Sequence, residues 1–175
     1  PASFTLPPLP KGTAVPDMPP HLSVLCRKTE QIPAALDAGA NAVYLDFEDL
    51  RDYAEGIKTV REHGKSIPVF LATPRIQKPS EVGYFKLMER AEPDGILIRN
   101  LGAAQYFRQS PLHRIGDFSL NVANPYSAAI LKKRGNLAHL TISYDLNAEQ
   151  VADLLRAAPP EWFELTLHQH MPMFH

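Results

Sequence analysis

The sequence has little of several features that mark specialised classes of protein. Its 175 residues include one cysteine, Cys26, which excludes an internal disulfide and a cysteine-cluster metal site built from this chain alone. The 18 Lys and Arg residues nearly balance the 19 Asp and Glu residues, so no global positive field attracts nucleic acid. No apolar run approaches the roughly 18 residues that a membrane span needs. The first residues do not resemble a secretory signal. We therefore expect a cytoplasmic globular protein with no membrane partner.

Short catalytic signatures are also absent from the sequence. It contains no GxGxxG segment, no P-loop, no HExxH helix and no GxSxG elbow. The usual nucleotide-binding, zinc-protease and serine-hydrolase classes are therefore not indicated, and any function must be inferred from the fold and from the residues it brings together.

Proline is abundant but unevenly placed. Seven of the 17 prolines lie within the first 20 residues, at positions 1, 7, 8, 10, 16, 19 and 20. Such a composition is typical of an extended, polyproline-like segment. We predict a Pro-rich leader or linker over residues 1–21 and a folded domain over residues 22–175.

From residue 22 onward, short apolar runs alternate with segments of helical period, which is typical of repeated βα units and a parallel sheet. Between the strands we expect six helices, of which the last begins with Asn147 and Gln150 in a capping box. The predicted strands are residues 22–27, 42–47, 67–73, 95–99, 117–122, 140–144 and 163–168.

The strand patterns favour a (βα) TIM-type barrel over an open doubly wound sheet. The central strands of an open sheet are apolar on both faces, because helices cover both. Here several strands alternate: Val43 and Leu45 are apolar, whereas Tyr44 and Asp46 lie on the other face. One face packed on helices and one lining a semi-polar interior is what a barrel requires.

Functional residues of such barrels follow the carboxyl ends of the strands. Arg27, Arg75 and Arg99 occupy three of these positions, and converging guanidinium groups suit a carboxylate or phosphate. Asn121 and Asp145 are expected to line the same mouth. We predict that these five residues bind an anionic substrate. The structural alternative is that each arginine forms a salt bridge with a nearby carboxylate.

The segment His168-Gln169-His170 places two imidazoles on one side of an extended strand. With Asp46 from another strand end, this pair has the composition of an acid–base set, and we name His168, His170 and Asp46 as candidate catalytic residues. Two histidines alone do not define a metal site, so we assign no metal ligand. The alternative is that both are strand-end residues bonded to their neighbours.

Several segments resemble the collagenase-like peptidase family. Residues 36–45, L-D-A-G-A-N-A-V-Y-L, are similar to its A-x-x-x-G-A-D-A-V-Y-L opening, and residues 94–102, D-G-I-L-I-R-N-L-G, to its D-A-L-I-V-x-D-x-G strand. Residues 117–124 and 164–175 resemble the strand and turn S-x-N-x-x-N and the strand that leads into the family's cysteine cluster. Residues 22–27 are similar to the L-x-V-L-C-R start of a later barrel domain in long, multi-domain members.

The resemblance implies a TIM-type barrel followed by four cysteines that bind an iron–sulfur cluster. Family members with assigned functions look like oxygen-independent hydroxylases of RNA bases or of a quinone precursor, some taking the oxygen from prephenate, while others are labelled proteases. A dicarboxylate of that kind would suit the arginines. This chain contains no such cysteines, so we expect no cofactor here and an iron–sulfur cluster in the full-length protein.

Length supports the same view. About 155 residues follow the first 20, fewer than the roughly 200–250 of a complete eightfold barrel. We therefore expect an incomplete barrel, inactive by itself, that partners the rest of its own multi-domain chain and binds an anionic small molecule or RNA. The alternative function is a non-catalytic barrel that supports the fold or binds RNA or a partner domain.

Overall fold

Each of the first six strands is followed in sequence by a helical segment that returns the chain to the start of the next parallel strand. The computed structural model describes residues 8–9, 20–64 and 66–169. Its strands are β1 (Ser23–Cys26), β2 (Ala42–Leu45), β3 (Val69–Ala72), β4 (Gly95–Ile98), β5 (His113–Gly116), β6 (His139–Thr141) and β7 (Phe163–Glu164). Its helices are α1 (Gln31–Asp37), α2 (Tyr53–Gly64), α3 (Gly83–Arg90), α4 (Leu101–Tyr106), α5 (Pro125–Gly135) and α6 (Ala148–Ala157).

The strand order distinguishes the two architectures that the sequence pattern allowed. All neighbouring strands are parallel, and their order across the sheet is the order along the chain, from β1 to β7. A doubly wound sheet reverses its strand order at a switch point, whereas a barrel does not. The predicted fold class, an incomplete (βα) TIM-type barrel of seven strands and six helices, is confirmed for the described residues.

A contact between distant strands shows that the sheet is curled. The Tyr44 hydroxyl of β2 donates a hydrogen bond of 2.6 Å to Oε1 of Glu164 in β7. These strands are five positions apart, which in a flat sheet would separate them by about 24 Å at the usual spacing of roughly 4.8 Å. The sheet therefore bends around a shared interior. Burial, and then the charge of Glu164, raise the pKa of Tyr44 far above its usual range, so the phenol stays protonated and remains the donor.

Apolar side chains form one layer on each side of the curled sheet. Outside it, strand residues such as Val43, Leu45 and Leu71 pack against the helices and are fully buried. A smaller cluster fills the interior and consists of Ala42, Tyr44, Phe70, Ala72, Leu97 and Ile115. The alternation predicted for the second strand is therefore confirmed.

The fifth strand is the element that the sequence pattern misplaced. We predicted it over residues 117–122, but β5 is His113–Gly116, and Phe118–Leu120 form a 3-10 turn. The side chain of Asp117 caps this turn by accepting a hydrogen bond from the backbone N–H two residues later. Asn121 ends the turn in the left-handed region, at φ 53°. The alternating pattern of this segment thus belongs to a capped turn rather than to a strand.

Two predictions about the ends of the chain have different outcomes. The last strand is shorter than the predicted residues 163–168, because β7 pairs with β6 only through Phe163 and Glu164. Most of the predicted leader, residues 1–21, lies outside the described residues, and its placement stays a prediction. Within the described part of the chain, every helix is too short or too polar to cross a lipid bilayer.

Removing the hydroxyl of Tyr44 should destabilise the barrel. The variant Tyr44→Phe leaves the half-buried Glu164 without its donor, and we expect urea unfolding to show a loss of about 1–2 kcal/mol. Tyr84→Phe is the matched control, because Tyr84 is 39% exposed on α3. Equal losses for the two variants would contradict the role given to this interior bond.

Candidate functional site

Charged residues follow four strands at the end of the barrel where the carboxyl ends of the strands meet, here called the mouth. They are Arg27 after β1, Asp46 after β2, Arg99 after β4 and Asp117 after β5. Each lies two residues beyond an interior residue of its strand, so its side chain points into the mouth. The barrel therefore brings together residues that are up to 90 positions apart in the chain.

Arg99 is the centre of this cluster. Its two terminal nitrogens donate to the two carboxylate oxygens of Asp46, at 2.5 and 2.9 Å, in a bidentate pair. Its Nε lies 3.5 Å from Oδ2 of Asp117. Only 5% of the Arg99 side chain and 4% of the Asp117 side chain are exposed to solvent. One buried cation is thus held between two carboxylates.

The charge of Arg99 is maintained by these partners. Burial by itself lowers the pKa of the Arg99 guanidinium, but hydrogen bonding to Asp46 and the charges of both carboxylates outweigh it and raise that pKa. Two carboxylates outweigh the charge of the guanidinium, so it attracts an anionic ligand weakly, although its buried Nε has no hydrogen-bond partner among the described residues. Arg99 therefore matches the structural alternative for the three arginines, whereas a direct role in substrate binding stays a prediction.

Backbone bonds hold the cluster in position. The N–H of Arg99 donates to the Thr73 hydroxyl at 3.0 Å, and the N–H of Asp117 donates to the Ile98 carbonyl at 2.8 Å. The Ser119 hydroxyl lies 2.8 Å from Oδ2 of Asp117 and 2.9 Å from the Arg99 carbonyl, and its single proton serves one of them at a time. These bonds hold Arg99, Asp46 and Asp117, here called the floor of the mouth, in place.

Arg27 is the more accessible cation beside this floor. Its Nε is 3.9 Å from Oδ2 of Asp46, beyond hydrogen-bonding distance, and 49% of its side chain is exposed. Gln31 fixes the loop, since its Oε1 accepts from the N–H groups of Arg27 and Lys28 at 2.7 and 3.1 Å. Both basic residues line a cleft of about 1080 Å³, here called the Arg27 cleft, together with Asp46 and Tyr84.

Arg75 lies at a second position on the mouth. Its guanidinium carbon is 5.1 Å from the centre of the Phe118 ring, and that ring meets Tyr144 edge to face at 5.0 Å. The loop that carries Arg75 is tied to α4 by Asn100, whose Nδ2 donates to the Pro74 carbonyl at 2.8 Å. Among the described residues no carboxylate pairs with Arg75, so its charge is available to a ligand.

The remaining predicted site residues are not gathered into this cluster. Asn121 is exposed at the end of the 3-10 turn, and Asp145 is exposed in a turn where its N–H and carboxylate lie 3.4 Å from the Ser143 hydroxyl. His168 is exposed four residues beyond the end of β7. His170 lies outside the described residues, so the pairing of the two histidines with Asp46 stays a prediction.

The described residues do not suit an iron–sulfur cluster or a protein-bound metal ion. Cys26 is buried behind the sheet, and burial raises the pKa of its thiol to about 11, which disfavours the thiolate that metals bind. In the described ranges there is also no group of three or more His, Cys, Asp and Glu residues arranged to hold a metal. The cluster expected in the full-length protein is a prediction about residues other than these.

Asp117 and Ser119 are the residues that sequence reasoning missed. They were assigned to a strand, whereas they close the buried ion-pair cluster from a capped turn. A signal was present: Asp117 follows the buried pair Ile115-Gly116, just as Asp46 follows Leu45 and Arg99 follows Ile98.

Comparison with known proteins supports the fold. No family model and no curated protein matches the chain. An unknown member of the enolase superfamily from Enterococcus faecalis V583 is similar in structure, with a TM-score of 0.51, 11% identity, and coverage of 70% of this chain and 35% of that one. MenC from Desulfotalea psychrophila LSv54 has a TM-score of 0.51 and 13% identity, covering 85% and 46%. The chain thus spans less than half the length of either structure, and at these identities the likeness shows the fold alone.

Removing the buried cation should destabilise the domain strongly. In Arg99→Ala the buried carboxylate of Asp117 and the partly buried one of Asp46 lose this cation, and we expect the free energy of unfolding to fall by about 3–5 kcal/mol. The control is Arg156→Ala, because Arg156 is 73% exposed and pairs with Asp153 on the surface of α6. Such surface pairs contribute at most about 1 kcal/mol. Similar losses in chemical denaturation would argue against a structural role for Arg99.

Proposed function

We propose that this chain is the ligand-binding barrel domain of an enzyme that takes an anionic small molecule at the mouth. The observation that carries the proposal is that the three arginines have different partners. The charge of Arg99 is paired with Asp46 and Asp117, whereas Arg27 and Arg75 have no hydrogen-bonded carboxylate among the described residues. The floor of one guanidinium and two carboxylates carries a formal charge of −1, and Arg27 and Arg75 bring these five residues to +1. That balance suits one anion, because guanidinium groups match carboxylate and phosphate oxygens.

The roles of individual residues follow from their exposure. Arg27 is half exposed and sits at the edge of the Arg27 cleft, where it meets a ligand first. Asp46 lies near Arg27, with one oxygen 3.9 Å from the Arg27 Nε, so its charge attracts Arg27 without a hydrogen bond. We retain His168, His170 and Asp46 as the proposed catalytic set, of which Asp46 is the member placed at the mouth.

For the whole protein, we propose membership of the collagenase-like peptidase family and a cytoplasmic location. What supports this is the agreement between the confirmed barrel and the fold that the resemblance implies. The proposed chemistry of the full-length enzyme is iron–sulfur-dependent hydroxylation, although some members of the family are labelled proteases. No step of it is assigned to the residues described above, because they offer no ligand set for a cluster.

Anion binding can be measured on the chain itself. Titration with succinate or inorganic phosphate should shift the amide NMR signals of residues at the mouth. Arg27→Gln should weaken succinate binding about tenfold, because a charge-assisted hydrogen bond is lost. Arg51→Gln is the matched control, since Arg51 lines the same cleft but is 84% exposed and bonded to Asp49.

Two outcomes would contradict this proposal. If neither anion binds, the mouth is not an anion site. If single-stranded RNA binds equally well with or without succinate, and equally well to the Arg27→Gln variant, the alternative of a non-catalytic RNA-binding barrel is supported instead.

The family assignment has its own test in the full-length protein. Purified without oxygen, that protein should be brown and contain iron and sulfide, whereas the 175-residue chain should contain neither. A colourless, iron-free full-length protein with no cysteine cluster would reject the hydroxylase chemistry and leave the proposal of anion binding to be judged by the titrations.

A further inference from the structure

A second depression at the mouth differs in character from the Arg27 cleft. It is a groove of about 530 Å³, here called the Arg75 groove, between the loop that carries Arg75 and the helices α4 and α5. Leu101, Ile130 and Leu131 contribute apolar walls, and Ser127 lies at the start of α5. No Asp or Glu is among the described residues that line it. The groove therefore combines apolar surface with two cations, Arg75 and Arg99, of which Arg99 is paired with carboxylates.

The guanidinium of Arg75 is held in place by its neighbours. The face of the Phe118 ring supports the Arg75 guanidinium, and the hydrogen bond from Asn100 to Pro74 anchors the adjacent backbone. A guanidinium that is already oriented loses less side-chain entropy when an anion binds. The flat group also keeps its in-plane N–H donors free when only its face is covered.

The apolar walls are unusually exposed. Leu101 is 68% exposed and Ile130 is 54% exposed, and both border the groove beside Arg75. A ligand that covers them would remove apolar area from water, which is favourable by roughly 0.8 kcal/mol per buried methylene, or about fourfold in affinity. The volume of the groove falls in the range of roughly 300–1000 Å³ that small-molecule sites occupy.

We infer that the Arg75 groove binds a monocarboxylate with an apolar body, with the carboxylate on Arg75 and the body against Leu101 and Ile130. This inference rests on the proposed function, because it names the class of ligand for one side of the mouth. A single negative charge is indicated, since Arg75 is the one groove cation whose charge is not already balanced: the guanidinium of Arg99, which also lines the groove, is matched by Asp46 and Asp117.

Polar groups along the groove agree with a ligand that has one charged end. The Ser127 hydroxyl donates to the Asn124 carbonyl at 2.9 Å, and the N–H groups of Tyr126 and Ser127 donate to the Asn124 side chain. The start of α5 is therefore already satisfied, and it offers no second anion site that would favour a dianion.

The test is a titration series of straight-chain carboxylates from acetate to hexanoate, followed by NMR of the amides in α4 and α5. Affinity should rise about fourfold with each methylene until the groove is filled. Hexanamide, which has the same body without the charge, should bind at least tenfold more weakly than hexanoate.

Variants assign the two parts of the ligand. Arg75→Gln should weaken hexanoate at least tenfold. Ile130→Ser changes an exposed position and should flatten the dependence on chain length without lowering the unfolding temperature appreciably. Arg156→Gln, at an exposed arginine on α6 that pairs with Asp153, is the control, and it should leave hexanoate affinity unchanged.

The outcomes separate this inference from the proposed function. If succinate and phosphate bind through Arg27 but affinity does not rise from acetate to hexanoate, the inference is wrong and the proposed function stands. If no anion binds at either position, both are wrong. Loss of hexanoate binding in Arg27→Gln would also overturn the inference, because it would place the ligand in the other cleft.

Discussion

The buried ion cluster around Arg99 is the constraint on which the mouth depends. Taking a guanidinium out of water is costly, and the cost is offset only when carboxylates with good geometry surround it. Asp46 supplies a bidentate partner from β2 and Asp117 supplies a second charge from the turn after β5. These partners meet Arg99 only when three strands end at the same level of a curled sheet. The ion pairs of the mouth therefore form only when the sheet is curled correctly.

The bond between Tyr44 and Glu164 imposes a related constraint from the other side of the interior. It links the second and seventh strands directly, and its donor stays protonated because burial raises the pKa of Tyr44. Between these polar contacts, the interior is filled by apolar groups such as Phe70 and Leu97. The interior is thus semi-polar, as the alternation in the sequence indicated. Tyr44 bonds to Glu164 and Arg99 to Asp46, whereas the buried Nε of Arg99 has no hydrogen-bond partner among the described residues.

Features that depend on the local sequence pattern could be predicted, whereas features that depend on contacts between distant residues could not. The alternation of Val43 and Leu45 with Tyr44 and Asp46 depends on the strand period alone, so the barrel and the inward positions of Tyr44 and Asp46 were predicted correctly. The fifth strand was misplaced because one side-chain hydrogen bond at Asp117 converts an alternating segment into a turn. Arg99 was identified as a mouth residue, yet its ion pair with Asp117 was not, since that contact depends on the tertiary positions of two strand ends.

The two depressions at the mouth differ in charge although they share one floor. Five carboxylates line the Arg27 cleft with three cations, so an anion there competes with Glu48 and Asp52 as well as with Asp46. The Arg75 groove has no carboxylate among its described lining residues. Repulsion between an anion and nearby carboxylates is strong at short range near a protein surface. An anion therefore meets less repulsion in the Arg75 groove than in the Arg27 cleft, although the groove has one cation whose charge is free. An extended ligand with a negatively charged end would consequently place that end at Arg75. Arg99 attracts it less, because its charge is already paired with Asp46 and Asp117.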